Sequence, residues 1–276
     1  MNLRKLYIIL FLLMGSQFIF SQDNTPPVKK SDTSYTALAN SKIYSMLEKG
    51  KPPKFTLQLS FNYDIGHLDL AGNENTYFRR ADFENGSTFG TRYGYGAALT
   101  GKLALHKAGN IRLNITAAYN RFQSNFIIEE SPEGIVKYNV YSGALGIENN
   151  FSPAKRFKPF VGLDINVNMI EGNAVLKSDT SDLNLKIRNS VRFGLSFILG
   201  FEYAFSNYVG FNLGYKITYA NLLGKESKAS SSIYETYLND DKVTSTVSIP
   251  YAGWKQFLYS TFYTGINYYF GLKNKK

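Results

Sequence analysis

Between Ile187 and Phe205 the chain alternates with period two. The odd positions are Ile187, Asn189, Val191, Phe193, Leu195, Phe197, Leu199, Phe201, Tyr203 and Phe205; the even positions are Arg188, Ser190, Arg192, Gly194, Ser196, Ile198, Gly200, Glu202 and Ala204. One face is apolar and aromatic, and the other is small, polar or charged. An α-helix cannot sort residues this way, because its period of 3.6 would scatter both sets around the cylinder. The pattern specifies a β-strand between two different solvents. It also runs longer than a typical globular strand.

The same division recurs along the chain. Phe55, Leu57, Leu59, Phe61 and Tyr63 alternate with Thr56, Gln58, Ser60, Asn62 and Asp64. Comparable segments run through Tyr93–Leu105, Ile111–Tyr119, Tyr141–Ile147, Val161–Met169, Val209–Tyr219 and Leu258–Phe270, which gives eight segments in all. In Val161–Met169, the residues Val161, Leu163, Ile165, Val167 and Met169 are expected to face lipid, with Asp164, Asn166 and Asn168 facing a lumen. A soluble β-sandwich also alternates. Here, however, the polar face is rich in Gly, Ala and Ser with scattered single charges, which suits a cramped interior better than an open surface. Aromatic residues make up 16% of the chain, with 21 Tyr and 21 Phe. They gather near segment ends, where interfacial girdles would lie. Mean hydropathy of −0.22 does not argue against a membrane barrel, because only alternate residues need be apolar.

The connections alternate long and short. The long ones span 70–91, 123–137, 171–186 and 222–254; the short ones span 106–110, 152–158 and 206–208. Transmembrane barrels pair tight periplasmic turns with longer outer loops. An even strand number then places both termini in the periplasm. Within the longest connection, two strand-like stretches, 232–238 and 242–249, flank Asn239-Asp240-Asp241 and predict a projecting hairpin.

The first residues support export. Arg4 and Lys5 precede an apolar run from Leu6 to Met14, followed by small and polar residues to Gln22, the layout of a signal peptide over 1–22. The chain contains no cysteine, which excludes a lipoprotein anchor and a disulfide framework. Residues 23–53 are polar and bracketed by proline pairs. They read as a periplasmic linker or short helix, with a plug or partner contact as the sharper alternative. The net charge is +10, and many of its lysines and arginines, Lys107, Lys155, Arg156 and Lys158 among them, fall on the predicted periplasmic side. That basic rim suits anionic lipid heads or an acidic partner. Nucleic acid is excluded by location.

The last strand contains Tyr263-Thr-Gly265-Ile-Asn-Tyr268-Tyr-Phe270. It resembles the terminal signal by which bacterial outer-membrane proteins are recognised for insertion, with Tyr263, Gly265, Tyr268 and Phe270 in the signal's places. Family members usually stop at the aromatic, whereas this chain continues as the basic tail 272–276. Region 54–271 as a whole resembles the small OmpA/OmpX-like outer-membrane barrels. The resemblance implies an all-β fold, a closed eight-stranded antiparallel up-and-down transmembrane barrel, in the outer membrane. It implies outer-membrane lipids, lipopolysaccharide and the barrel-assembly machinery as partners, together with a periplasmic or extracellular protein at the loops or linker.

Little in the sequence points to chemistry. Only His67 and His106 occur, and no metal-ligand spacing, phosphate loop or nucleophile elbow is present. No catalytic, cofactor-binding or metal residue is assigned. Some barrels of this size modify lipid A with His, Ser and an acid at the outer rim, and His67 lies near Asp64 and Asp69. An enzyme is therefore one alternative, and a narrow channel is another. Eight strands enclose an interior that side chains can fill. Lumen charges are expected from Arg92, Arg188, Arg192, Lys102, Arg112 and Lys216 against Asp64, Asp164, Glu148 and Glu202. Four of them, Lys102, Arg112, Glu148 and Glu202, lie beside the short turns and predict one salt-bridge layer closing the lower lumen. The favoured function is a non-enzymatic scaffold whose outer loops serve binding, adhesion or envelope organisation.

Overall fold

Each alternating segment becomes a strand, because pairing with both neighbours satisfies its backbone while its two faces meet different surroundings. The computed structural model describes residues 52–71, 88–128, 131–176, 183–228, 232, 234–242 and 253–270. The signal peptide, most of the 23–53 segment and the basic tail lie outside these residues. The strands are β1 (Phe55–His67), β2 (Tyr93–Ala104), β3 (Ile111–Ile128), β4 (Ser131–Asn150), β5 (Phe157–Leu176), β6 (Leu183–Ala204), β7 (Val209–Leu223), β8 (Glu235–Thr236) and β9 (Leu258–Phe270). All except the two-residue β8 pair antiparallel with both neighbours, and β1 pairs with β9 to close the sheet. The result is a closed eight-stranded up-and-down barrel with β8 as a parallel appendage on β6.

The register fixes the geometry. Following partners from Phe55 leads through Leu103, Leu113, Ile147, Leu163, Phe197, Ile217 and Ser260 back to Ile65, ten residues further along β1. With about 3.3 Å per residue and about 4.8 Å between strands, that stagger tilts the strands by about 41° and gives a radius of roughly 8 Å. Outward apolar side chains run from Phe270 and Phe205 at the short-turn end to Tyr95, Tyr141 and Phe193 near the other. Along the tilted strands this band is roughly 25–30 Å tall, matching a bilayer's hydrocarbon layer.

In β5, Leu163, Ile165, Val167 and Met169 are exposed on the outside and Val161 is half-buried, while Asp164, Asn166 and Asn168 are buried in the lumen. Local backbone and side-chain hydrogen bonds close the short turns. Gly109, at φ +74, donates to His106 O, and Ser206 Oγ accepts from the N–H groups of Tyr208 and Val209. The inward glycines make room for large lumen groups. A Cβ on Gly146 would strike the Asp164 carboxylate, and one on Gly214 would strike the Tyr263 ring.

Two features depart from the sequence reading. The β5–β6 register slips between Ile170 and Gly172, so Arg188 and Asn189 together face one residue of β5. This bulge reverses the phase: Ile187 turns inward at 2% exposure and Arg188 turns outward, pairing with Glu235. The expected placement of Ile187 on the lipid face and Arg188 in the lumen is therefore corrected. Second, the stretch 239–241 is no projecting tip. Leu238, Asn239 and Asp240 are buried against the barrel mouth, and Asp241 bridges Trp254. Asp240 there pairs with the buried Arg192, whose charge would be costly to leave without a partner. The second arm of that hairpin, 243–249, lies outside the described residues.

Candidate functional site

The lumen is the place where the chain's chemistry concentrates, and it is layered. Nearest the short turns, β2 supplies Lys102, β3 Arg112, β4 Glu148 and β6 Glu202. Arg112 and Glu148 are direct cross-strand partners, Lys102 lies diagonally from Arg112, and Glu202 reaches from the facing wall. Lys102 Nζ lies 2.9 Å from Glu148 Oε2 and 2.9 Å from Glu202 Oε1. Arg112 donates through Nε to Glu148 Oε1 at 2.9 Å, and through Nη2 and Nη1 to Glu202 Oε1 at 2.7 Å and Oε2 at 3.3 Å. Its Nη2 also pairs with Glu148. All four side chains are essentially inaccessible to solvent. The structure thus brings together the four residues read from the sequence as one layer. Each carboxylate meets both cations, so no charge in the layer lacks a counter-charge.

Aromatic and basic groups extend this layer. Lys102 Nζ lies 4.3 Å from the centre of the Phe160 ring. Lys158 donates to Pro153 O and Lys155 O, closing the second short turn on itself.

Above the charged layer is a polar cavity of about 40 Å³ whose walls include Gln58, Asn114, Asp164, Lys216 and Tyr263. Gln58 Oε1, Asn114 Oδ1 and Asp164 Oδ1 have no protein donor. A space of this size and polarity holds a few waters, which would satisfy them.

The other end of the lumen is filled by apolar side chains. Phe89, Phe122, Tyr138, Phe257 and Tyr259 form an aromatic cluster, with ring centroids 5.0–6.3 Å apart among the contacting pairs, and Val136, Val140, Ile170, Leu185, Ile187 and Leu238 surround it. Such packing is ordinary for a protein core and unusual for a barrel lumen. It arises because β3–β6 are longer than the other strands and continue past the lipid band. There the outward residues Lys137, Asn139, Glu171, Asn173 and Lys186 are polar, so the inward ones can be apolar.

A charged latch covers this core. Arg192 Nε donates to Asp240 Oδ2 at 2.8 Å, Asn221 Nδ2 to Asp240 Oδ1 at 2.7 Å, and Arg192 Nη2 to Leu238 O at 3.1 Å. Asp69 accepts the Gln256 N–H at 2.9 Å and pairs with Lys242 at 2.8 Å. Lys255 is 1% exposed, with Nζ 4.8 Å from the Phe89 ring centre. Burial pushes its amine down to about 8, with Asp240 and Asp69 opposing the shift. Glu226 is held below the ordinary carboxylate range, first by its hydrogen bond from Lys228.

Other predicted residues are placed as follows. Arg192 is buried, and Lys216 is half-buried on the cavity wall. Asp64 accepts Thr261 Oγ1 at 2.5 Å, and the Arg92 guanidinium lies 5.5 Å from the Tyr93 ring centre. In the C-terminal motif Tyr263 points inward, while Tyr268 and Phe270 face outward with rings 4.7 Å apart. A Cβ on Gly265 would approach Ser60 Cα to 2.7 Å, so only glycine lets β1 pair this closely at the barrel seam. His67 Nε2 lies 2.7 Å from Ser260 Oγ, a partner the sequence did not reveal. Ser260 is 2% exposed, and the acids near His67 are engaged elsewhere, Asp64 by Thr261 and Asp69 by Gln256 and Lys242. His106 accepts the Ala108 N–H at its short turn.

No protein-family model matches the chain, and no curated protein matches it. Similar solved structures include Neisserial surface protein A, at 14% identity and TM-score 0.43 over 79% of this chain and 97% of that one. The outer membrane protein OprG of Pseudomonas aeruginosa shares 14% identity at TM-score 0.42, over 81% and 99%. The outer membrane protease OmpT of Escherichia coli shares 12% at TM-score 0.41, over 79% and 97%. These proteins differ in the roles their names record, and the barrel described above stands on its own register.

Proposed function

We propose that this chain is an outer-membrane barrel that does not conduct. It acts as a scaffold, presenting the connections at its long-loop end to the cell exterior and holding its short turns and both termini in the periplasm. The observation that carries the reading is the double closure of the lumen. A salt-bridge layer fills one end and a latched aromatic core fills the other, with a small polar cavity between them. A transport pathway needs a continuous polar route, and the aromatic layer interrupts it. The apolar band supports residence among lipids, and the Tyr263–Phe270 strand at the seam supports recognition by the assembly machinery.

The described part of the longest connection, 234–242 and 253–257, lies on the mouth, where Leu238, Asn239, Asp240, Lys255 and Phe257 are buried. Among the described residues of this connection, Tyr234 and Trp254 are exposed aromatics, at 60% and 49%. Envelope fractionation with surface proteolysis tests the proposal. The protein is expected in the outer-membrane fraction, migrating faster on gels before heating than after. Recovery in the inner membrane, or in soluble form, would refute the reading.

A further inference from the structure

The outward face of β3 and β4 changes character within two residues. Tyr119 and Tyr141 stand side by side on it, their rings 5.2 Å apart, at the upper margin of the apolar band. The next outward pair is Arg121 and Asn139, and beyond them come Gln123 and Lys137. Two residues on a strand tilted by about 41° rise about 5 Å, so Arg121 lies about 5 Å above the tyrosines and Lys137 about 10 Å above. That interval is the headgroup layer of a membrane whose hydrocarbon ends at the tyrosines. Both cations carry long apolar stems that can lie along the sheet and aim their charge at this depth.

Arg121 Nε is buried and has no hydrogen-bond partner. Among the described residues the acid on this face is Glu171, beside Asn139, and it accepts the Tyr141 hydroxyl at 3.2 Å. The amides of Gln123 and Asn139 add donors. On the β7 side a similar arrangement recurs, where Lys225 Nζ bonds Tyr219 Oη at 2.9 Å and lies 5.1 Å from its ring centre.

We propose that Arg121 and Lys137, with Asn139 between them, form a lipid-facing anion site for a phosphate-bearing headgroup of the outer leaflet. A planar guanidinium matches two phosphate oxygens, and an ammonium adds a point charge from the neighbouring strand. The position argues for a lipid rather than a soluble ligand. The site is on the flank of the barrel, continuous with the apolar band, and a headgroup anchored by acyl chains on that band arrives at the required depth. This inference rests on the membrane orientation proposed above.

The test is lipid retention by the folded protein in non-ionic micelles, read by native mass spectrometry. The probes are diphosphorylated lipid A, its dephosphorylated form and inorganic phosphate. Diphosphorylated lipid A should bind, the dephosphorylated form should bind far less, and inorganic phosphate alone should not compete at equal concentration. At about fivefold per cation, the variant Arg121→Gln/Lys137→Gln should lose about 25-fold in affinity. The control Lys107→Gln/Lys155→Gln, at the opposite rim, should bind like wild type. Unchanged binding by the first variant, equal loss in the control, or indifference to the lipid's phosphates would overturn the site. So would displacement of the lipid by an acidic peptide. Failure of the wild-type chain to form a heat-modifiable barrel in micelles would instead refute the membrane reading, and the two failures are distinguishable on the same samples.

Discussion

Replacing Glu202 by Gln removes one charge from the salt-bridge layer while keeping the shape of the side chain. Glu202 sits within 2.7–3.3 Å of three donor nitrogens on Lys102 and Arg112 and is 0% exposed. At an effective dielectric of about 20, one unit-charge pair about 3 Å apart gains roughly 5–6 kcal/mol before desolvation is counted. The variant leaves two buried cations sharing Glu148 alone. Removing one partner from a buried pair costs about 3–5 kcal/mol, because the remaining charge stays dehydrated. The expected result is a loss of that size in urea-induced unfolding of the vesicle-embedded barrel, followed by the heat-sensitive gel shift. Lys102→Met in the same chain should recover part of the loss, since it restores one cation to one anion. The double-mutant coupling should exceed about 2 kcal/mol, as found for close charge pairs. A single-variant loss below about 1 kcal/mol, or strictly additive effects, would refute the reasoning that the four charges act as a unit.

Three further outcomes follow from the same geometry. The amine of Lys255 is lowered from 10.5 to about 8, so its charged form disfavours the closed cap below pH 8. The opened state binds more protons between about 8 and 10.5, and protection of the 253–257 amides from hydrogen exchange, corrected for intrinsic rate, should rise with pH across that window by up to about 3 kcal/mol. Lys255→Met should abolish the rise. Asp240→Asn withdraws the buried counter-charge of Arg192, leaving only the partly exposed Glu226 at 3.4 Å, and should make the 222–257 connection cleavable by external protease while the barrel stays folded; equal resistance in both proteins would count against the latch. Ile165→Arg, on the lipid face, should cost about 2–4 kcal/mol of barrel stability, whereas the same change at a water-facing position should cost little.

The fold was legible because a barrel wall separates two environments along its whole length, and period-two sorting records that directly. Segment ends and loop alternation then gave strand number and closure. The lower charge layer was legible for a related reason: Lys102, Arg112, Glu148 and Glu202 sit a few residues from short turns, and inward parity brings them to one height. Arg188 shows where parity fails, because one bulge in β6 reverses the face of every residue beyond it, and nothing in the residue types marks that bulge. The aromatic core was hidden by the assumption that the lumen is polar throughout. A signal existed in β4, where Val136, Tyr138 and Val140 alternate with Lys137 and Asn139 in the opposite phase to Leu145 and Ile147. That reversal marks where the wall leaves the membrane. The Arg192–Asp240 latch depends on a contact across 48 residues, which no local pattern encodes.

The central claim is that the lumen is closed, and planar-bilayer recording of the purified, folded protein tests it most directly. The account predicts no discrete conductance steps for the wild type in 1 M salt at applied voltages up to about ±100 mV, because the aromatic core and the charged layer both block the path. Reproducible, uniform steps that scale with protein inserted and survive extensive repurification would contradict it, and would mean that the two layers open together.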